Sequence, residues 1–212
     1  MVKDLVAEQF KVSLDLSEYL ALQDQQDRQI YLNTAINYCD GMIVVCNSSN
    51  ADEIVQLILE YNREDKGKSP EERQPIRLYI DSPGGDAIGG FAIISAIKVS
   101  KTPVYTINIG QWSSMAFLIG ICGHRRFSLP NMTFLMHDGD LLAAGSTNKA
   151  QDKMKFNERY ENEVIKAHVL KHGKISSIEY DALSRVEYYM LPEDALERGF
   201  IDEIVTDIDT IL

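Results

Sequence analysis

Twice in the middle of this chain a short apolar run stops at a turn of small residues and restarts as an apolar segment of helical spacing. Ile76-Arg-Leu-Tyr-Ile80 reads as a strand, Asp81-Ser-Pro-Gly-Gly85 breaks it, and Ile88, Phe91, Ile94, Ile97 and Val99 carry a buried helix. Val104-Tyr-Thr-Ile-Asn-Ile109 is a second strand, Gly110-Gln-Trp-Ser-Ser114 a tight connection, and Met115-Ala-Phe-Leu-Ile-Gly-Ile-Cys122 is apolar on every side, as a buried helix is. Consecutive strand, turn and helix leave the next strand parallel to the first, because only a crossover returns the chain to the same sheet edge. The pattern predicts an α/β fold with mostly parallel strands.

The flanks extend this unit. Ile30-Tyr-Leu32 and Met42-Ile-Val-Val45 read as short strands, and Ile54, Leu57, Ile58 and Tyr61 stand at helical spacing after the turn chemistry of Asn47-Ser-Ser-Asn50. Residues 64–75 are charged and carry two prolines, which marks an exposed loop. Residues 147–170 predict a long helix, with Phe156, Tyr160, Val164 and Ala167 on one stripe and polar residues elsewhere, a pattern that usually needs a partner to pack on. Gln23-Asp-Gln-Gln-Asp27 is too hydrophilic for a core, so residues 1–27 are read as an N-terminal arm or loop and residues 28–212 as one domain.

With 45% hydrophobic and 25% charged residues, the composition excludes disordered, collagen-like and membrane-spanning classes. The net charge of −11 repels polyanions, which argues against nucleic acid as a partner. Cys39, Cys46 and Cys122 form no C-x-x-C pair, and the first ten residues carry acids where a signal peptide needs an apolar run. Both features lead to the expectation of a reducing, cytoplasmic setting and no membrane association.

Among residues that could do chemistry, the glycines around Gly84 fit neither the dinucleotide nor the P-loop spacing. His168 and His172 share a helix face, but no Glu follows His168, so they are read as a solvated face without a metal. No cofactor is expected. A serine at a sharp strand-to-helix junction is different, because its hydroxyl leaves the sheet edge beside the first helical N–H groups. Ser113 and Ser114 both stand there, and either would also serve merely as a helix cap. Gly84 and Gly85 end the neighbouring strand on the same side, where bare backbone can approach a substrate closely. His137 ends the apolar run from Pro130; a lone histidine in such a place is more often structural.

Taken together, Tyr79-Ile-Asp-Ser-Pro-Gly-Gly85, Ile109-Gly-Gln-x-x-Ser-Met115, Arg126-Phe-x-Leu-Pro-Asn131, Met136-His137 and Glu193-x-Ala195-x-x-x-Gly199-x-x-Asp202 resemble the proteolytic subunits of the Clp proteases, a family of self-compartmentalising serine peptidases. The resemblance runs from about Arg28 to Val205. It implies the α/β fold of that family and of the crotonases, with a protruding handle helix at about residues 147–170. Ser114 is then the nucleophile, His137 its general base, and the N–H groups of Gly84 and Met115 the oxyanion hole. Glu187 falls where the family usually has an aspartate, with Asp194 and Asp181 as other acids nearby. The resemblance further implies polypeptide substrates, a homo-oligomer of two stacked heptameric rings, and an AAA+ unfoldase docking on an apolar pocket at Tyr79, Val99, Phe127 and Val205.

Departures from the family pattern temper these expectations. Trp112 and Ser113 stand where small residues are usual, Asp138-Gly-Asp140 replaces a common Gln-Pro, and no glycine follows Met115, all of which would reshape a substrate groove. Arg77 stands where the pocket commonly has an aromatic, and its charge resists burial unless the guanidinium reaches water or an acid. Two other functions share parts of the pattern: a phage-type head-maturation protease, and an assembly or regulatory subunit with impaired catalysis.

Overall fold

A computed structural model describes residues 16–36, 50–139 and 146–212. The expected strand at Met42–Val45, together with Cys39, Cys46 and Asp140, lies outside the described residues. Helix α1 (Leu16–Gln26) leads into β1 (Gln29–Leu32), and α2 spans Asn50–Glu64. The two central units follow as β2 (Ile76–Ser82), α3 (Ala87–Val99), β3 (Val104–Ser113) and α4 (Met115–Gly120). Two short strands, β4 (Arg125–Ser128) and β5 (Thr133–Met136), precede the long helix, which comprises α5 (Thr147–Tyr160), a π-helical stretch over Glu161–Lys166 and α6 (Ala167–His172). The chain ends with α7 (Ser177–Leu183), β6 (Tyr188–Met190), α8 (Pro192–Glu197), β7 (Glu203–Ile204) and a 3₁₀ turn at Ile208–Thr210.

Among the described residues seven strands form one sheet, five of them parallel in the order β1-β2-β3-β4-β7. Strand β3 is shared: its first half pairs with β4 and its second half with β5, to which β6 adds antiparallel. The α/β expectation therefore holds. Strand β2 shows why the sheet sits between two apolar layers. Leu78 and Ile80 join the main core beneath the helices, whereas the intervening Tyr79 faces a second cluster with Ile107, Phe127, Val205 and Ile211. Alternate residues of a strand point to opposite faces, so a parallel strand buried on both needs a continuous apolar run.

The segment read as an N-terminal arm contains helix α1, and its exposed polar positions agree with its hydrophilic sequence. Where the chain enters β1, Arg28 adopts φ 56° and its guanidinium grips the fully buried Asp65 carboxylate at 2.7 and 2.9 Å. The Thr102 hydroxyl and Lys68 ammonium also donate to Asp65. Arg28 above all holds the Asp65 carboxyl well below the usual carboxylate range.

The long helix differs from its predicted stripe. Tyr160 packs edge-on against Phe91 at 5.4 Å, but Phe156 and Ala167 are exposed, and Ile165, His168 and Val169 turn inward instead. A π-helical turn accommodates extra backbone per turn, so the inward face shifts along the sequence at Glu161–Lys166. The expectation of a solvated His168–His172 face is overturned for the same reason. His168 is 3% exposed, accepts from Lys98 at Nδ1 (2.8 Å) and donates from Nε2 to the Leu118 carbonyl (2.8 Å). Burial lowers the pKa of His168 and of the half-buried His172 to about 4 in each case. Among the described residues, no group of acids, histidines and cysteines is arranged to hold a metal, and no helix is long and apolar enough to cross a membrane.

Candidate active site

The forked strand β3 assembles the site. In the β3–β5 register Ser113 lies opposite Leu135, and the next residue, Ser114, donates its N–H to the Leu135 carbonyl at 3.0 Å. Ser114 itself adopts φ 54°, ψ −122°, a conformation sparsely populated by any residue with a side chain. The chain thereby turns sharply from β3 into α4 and Ser114 stands at the turn. No side-chain capping bond forms from Ser114, so the helix-cap alternative is not what the structure displays.

His137 follows β5 directly. Strand β6 runs antiparallel with Met136 opposite Tyr188, so one further step brings His137 opposite Glu187. The His137 Nδ1 and Glu187 Oε1 atoms are 2.7 Å apart. A carboxylate can only accept, so Nδ1 is the donor, and in the neutral imidazole Nε2 then carries the lone pair. That Nε2 atom is buried, with no hydrogen-bond partner among the described residues. The other acids are committed elsewhere: Asp194 accepts from the Leu191 N–H at the start of α8, and Asp181 pairs with Lys166 at 2.5 Å.

Ser114 and His137 line one cavity of about 580 Å³. Its walls include Gly85, Met115 and Met136, and also Lys153, Ile165, Val169 and Tyr180 from the long helix and α7. The sequence reading missed these last four. Ile165 and Val169 carry an i, i+4 apolar signal that could have found them, but the π-helical shift displaced them from the stripe that Phe156 begins.

The glycine turn touches the serine elbow closely. A Cβ at Gly84 (φ +94°) would lie 2.6 Å from the Ser113 carbonyl and 2.8 Å from the Met115 nitrogen, so only glycine lets β2 and β3 end side by side here. The Gly84 N–H, however, donates to Ser82 Oγ at 3.2 Å. It is Gly85 that lines the cavity, and its N–H meets no acceptor among the described residues.

Trp112 does not reshape the cavity as its sequence position suggests. Its ring is fully buried, edge-on to Phe134 at 5.4 Å and against Gly120. Ser113 donates to the Gln111 side chain at 3.1 Å, Ala116 is buried in the core in the position without the usual glycine, and the Asp138 N–H is tied to the Ser184 carbonyl at 2.6 Å.

Of the four residues expected to form an apolar pocket, Tyr79, Phe127 and Val205 do come together. Val99 does not join them within the chain: it is 76% exposed at the end of α3 and lines a different cavity with Ile58, Leu59 and Ala96. Arg77 is half-buried, and its guanidinium donates to the main-chain oxygen of Leu212.

Comparison with known proteins identifies the family. The Clp protease family model matches residues 26–207. The chain is 28% identical to the ATP-dependent Clp protease proteolytic subunit of Deinococcus radiodurans over 85% of its own length and 81% of that protein's. It is 28% identical to proteolytic subunit 1 of Protochlamydia amoebophila over 87% and 83% of the two lengths. It is 40% identical to proteolytic subunit 2 of Treponema denticola over a shorter stretch that spans 51% of each chain. With a parallel α/β sheet, a serine on a strained elbow, a histidine held by a glutamate beside it, and a family match across most of its length, the chain belongs to the Clp protease family of serine peptidases.

Proposed function

We propose that the chain cleaves peptide bonds with Ser114 as nucleophile, His137 as general base and Glu187 as the group that fixes the imidazole tautomer. One observation carries the reading: Glu187 holds His137 Nδ1 at 2.7 Å, leaving the buried Nε2 unpartnered in the same cavity as Ser114. A serine hydroxyl attacks poorly until a base takes its proton. His137 Nε2 receives that proton as Ser114 Oγ bonds to the scissile carbonyl carbon, and Glu187 stabilises the imidazolium that results. The same proton then passes to the departing amine nitrogen as the C–N bond breaks, and water hydrolyses the acyl-serine by the reverse sequence. Charge on the tetrahedral oxygen is met by the Met115 N–H, which opens α4 without an intrahelical acceptor, and by a glycine N–H. The glycine donor is Gly85 and not Gly84, because the Gly84 N–H is engaged by Ser82 whereas Gly85 lines the cavity.

The setting proposed for this chemistry is a cytoplasmic ring assembly of identical chains, two heptamers stacked through the long helix, with an AAA+ ATPase delivering unfolded polypeptide. The exposed Met154 and Phe156 on α5 support a helix whose faces are covered by another copy. The relatives' description as ATP-dependent supports the ATPase. The intact Ser114, His137 and Glu187 set favours an active peptidase over an impaired subunit. Labelling with a fluorophosphonate tests the reading: modification is expected at Ser114 and is lost in Ser114→Ala, whereas labelling of Ser113, or labelling that survives Ser114→Ala, overturns it.

A further inference from the structure

The cluster on the sheet face opposite the helices has an occupant from the chain itself. Tyr79, Ile107, Phe127 and Val205 pack around Ile211, which is 4% exposed although its neighbours Thr210 and Leu212 are exposed. The turn that delivers Ile211 is tied by local bonds: the Asp207 carboxylate accepts from the Asp209 N–H at 3.1 Å, and the Ile211 N–H bonds the Ile208 carbonyl at 3.1 Å. Two side chains of β2 then hold successive main-chain oxygens of this segment. The Tyr79 hydroxyl donates to the Ile211 carbonyl at 2.6 Å, and the Arg77 guanidinium donates to the main-chain oxygen of Leu212.

This is the chemistry of a peptide-binding pocket: one aliphatic side chain enters an apolar hollow, and donors at its rim hold the main chain whatever the sequence. We propose that residues 207–212 are a displaceable plug that occupies this pocket with Ile211, so that an apolar peptide segment of a partner binds only when the plug leaves. Arg77 is thereby part of the pocket, as a rim donor to a main-chain oxygen, and not a charge that spoils it. Because the site is open only in the fraction of molecules whose plug has left, the apparent affinity for a peptide in trans falls by that same fraction. The proposal is independent of the peptidase chemistry.

The probe is a fluorescein-labelled peptide with the sequence of residues 206–212, its binding followed by fluorescence anisotropy. A variant ending at Thr206 is expected to bind it about tenfold or more tightly than the unaltered chain, as a plug seated in nine molecules of ten requires. Asp207→Ala loosens the turn without touching the pocket, keeps the fold should the shortened variant not, and is expected to fall between the two. Fluorophosphonate labelling of Ser114 in the same samples is expected to stay unchanged, which separates this test from that of the catalytic assignment. Equal binding by Asp207→Ala and the unaltered chain, or no binding by a folded variant ending at Thr206, overturns the proposal.

Discussion

Ser114 is the proposed nucleophile, and its substitution is the sharpest test at this scale. Ser114→Ala is expected to lower peptide hydrolysis by about 10⁴-fold or more while leaving the fold intact, because only the attacking oxygen is lost; steady-state kinetics with a fluorogenic peptide checks it. Glu187→Gln keeps the shape but loses the carboxylate that defines the His137 tautomer, so kcat should fall sharply with little change in melting temperature. An unchanged kcat would show that Ser114 and His137 work as a pair alone. His168 gives a stability prediction of known sign. Burial lowers its pKa from 6.5 to about 4, so between those values the unfolded chain binds the proton more readily and stability falls as the pH drops. His172, shifted likewise, adds to the effect. Thermal melts are expected to be steady above about pH 6.5 and to decline towards pH 4, with a shallower decline in His168→Gln.

Between residues and the molecule stand the elements, and the clearest case is the entry to β1. Asp65 is fully buried and bound by Arg28, Lys68 and Thr102, so Asp65→Ala takes away the buried carboxylate of Arg28 and leaves its guanidinium only the exposed Glu64 carboxylate and the Gln74 carbonyl. The expected cost is about 3 kcal/mol, measurable by chemical denaturation. Strands β2 and β3 and the helices that follow them were legible because period, turn residues and apolar content all agree there. The Ser114, His137 and Glu187 positions were legible from motif resemblance, since nothing in their local sequence states that β5 and β6 bring a histidine opposite a glutamate. Other features were not readable. The π-helical turn, flanked by the Tyr160 contact with Phe91 of α3 and the Glu161 bond from Tyr180 of α7, follows no spacing rule, and it moved the inward face to Ile165 and Val169. That the Gly84 N–H donates to the Ser82 hydroxyl while Gly85 lines the cavity is set by side-chain placement that the sequence does not spell out.

At the scale of the whole molecule, a ring assembly predicts a sedimentation mass many times the 23.9 kDa of one chain, and a stable monomer in analytical ultracentrifugation would remove the assembly from the proposal. The molecule is also unevenly built around its own active centre. Ser114 hangs from the ten-residue central strand, which is paired along both halves, whereas His137 and Glu187 project beyond the last of three paired positions in the antiparallel β5–β6 edge. Elements with few cooperating contacts open before those with many. Heating should therefore part histidine from glutamate while the sheet still stands, and turnover should fade reversibly at temperatures where circular dichroism reports an intact fold: the enzyme would fall silent before it melts.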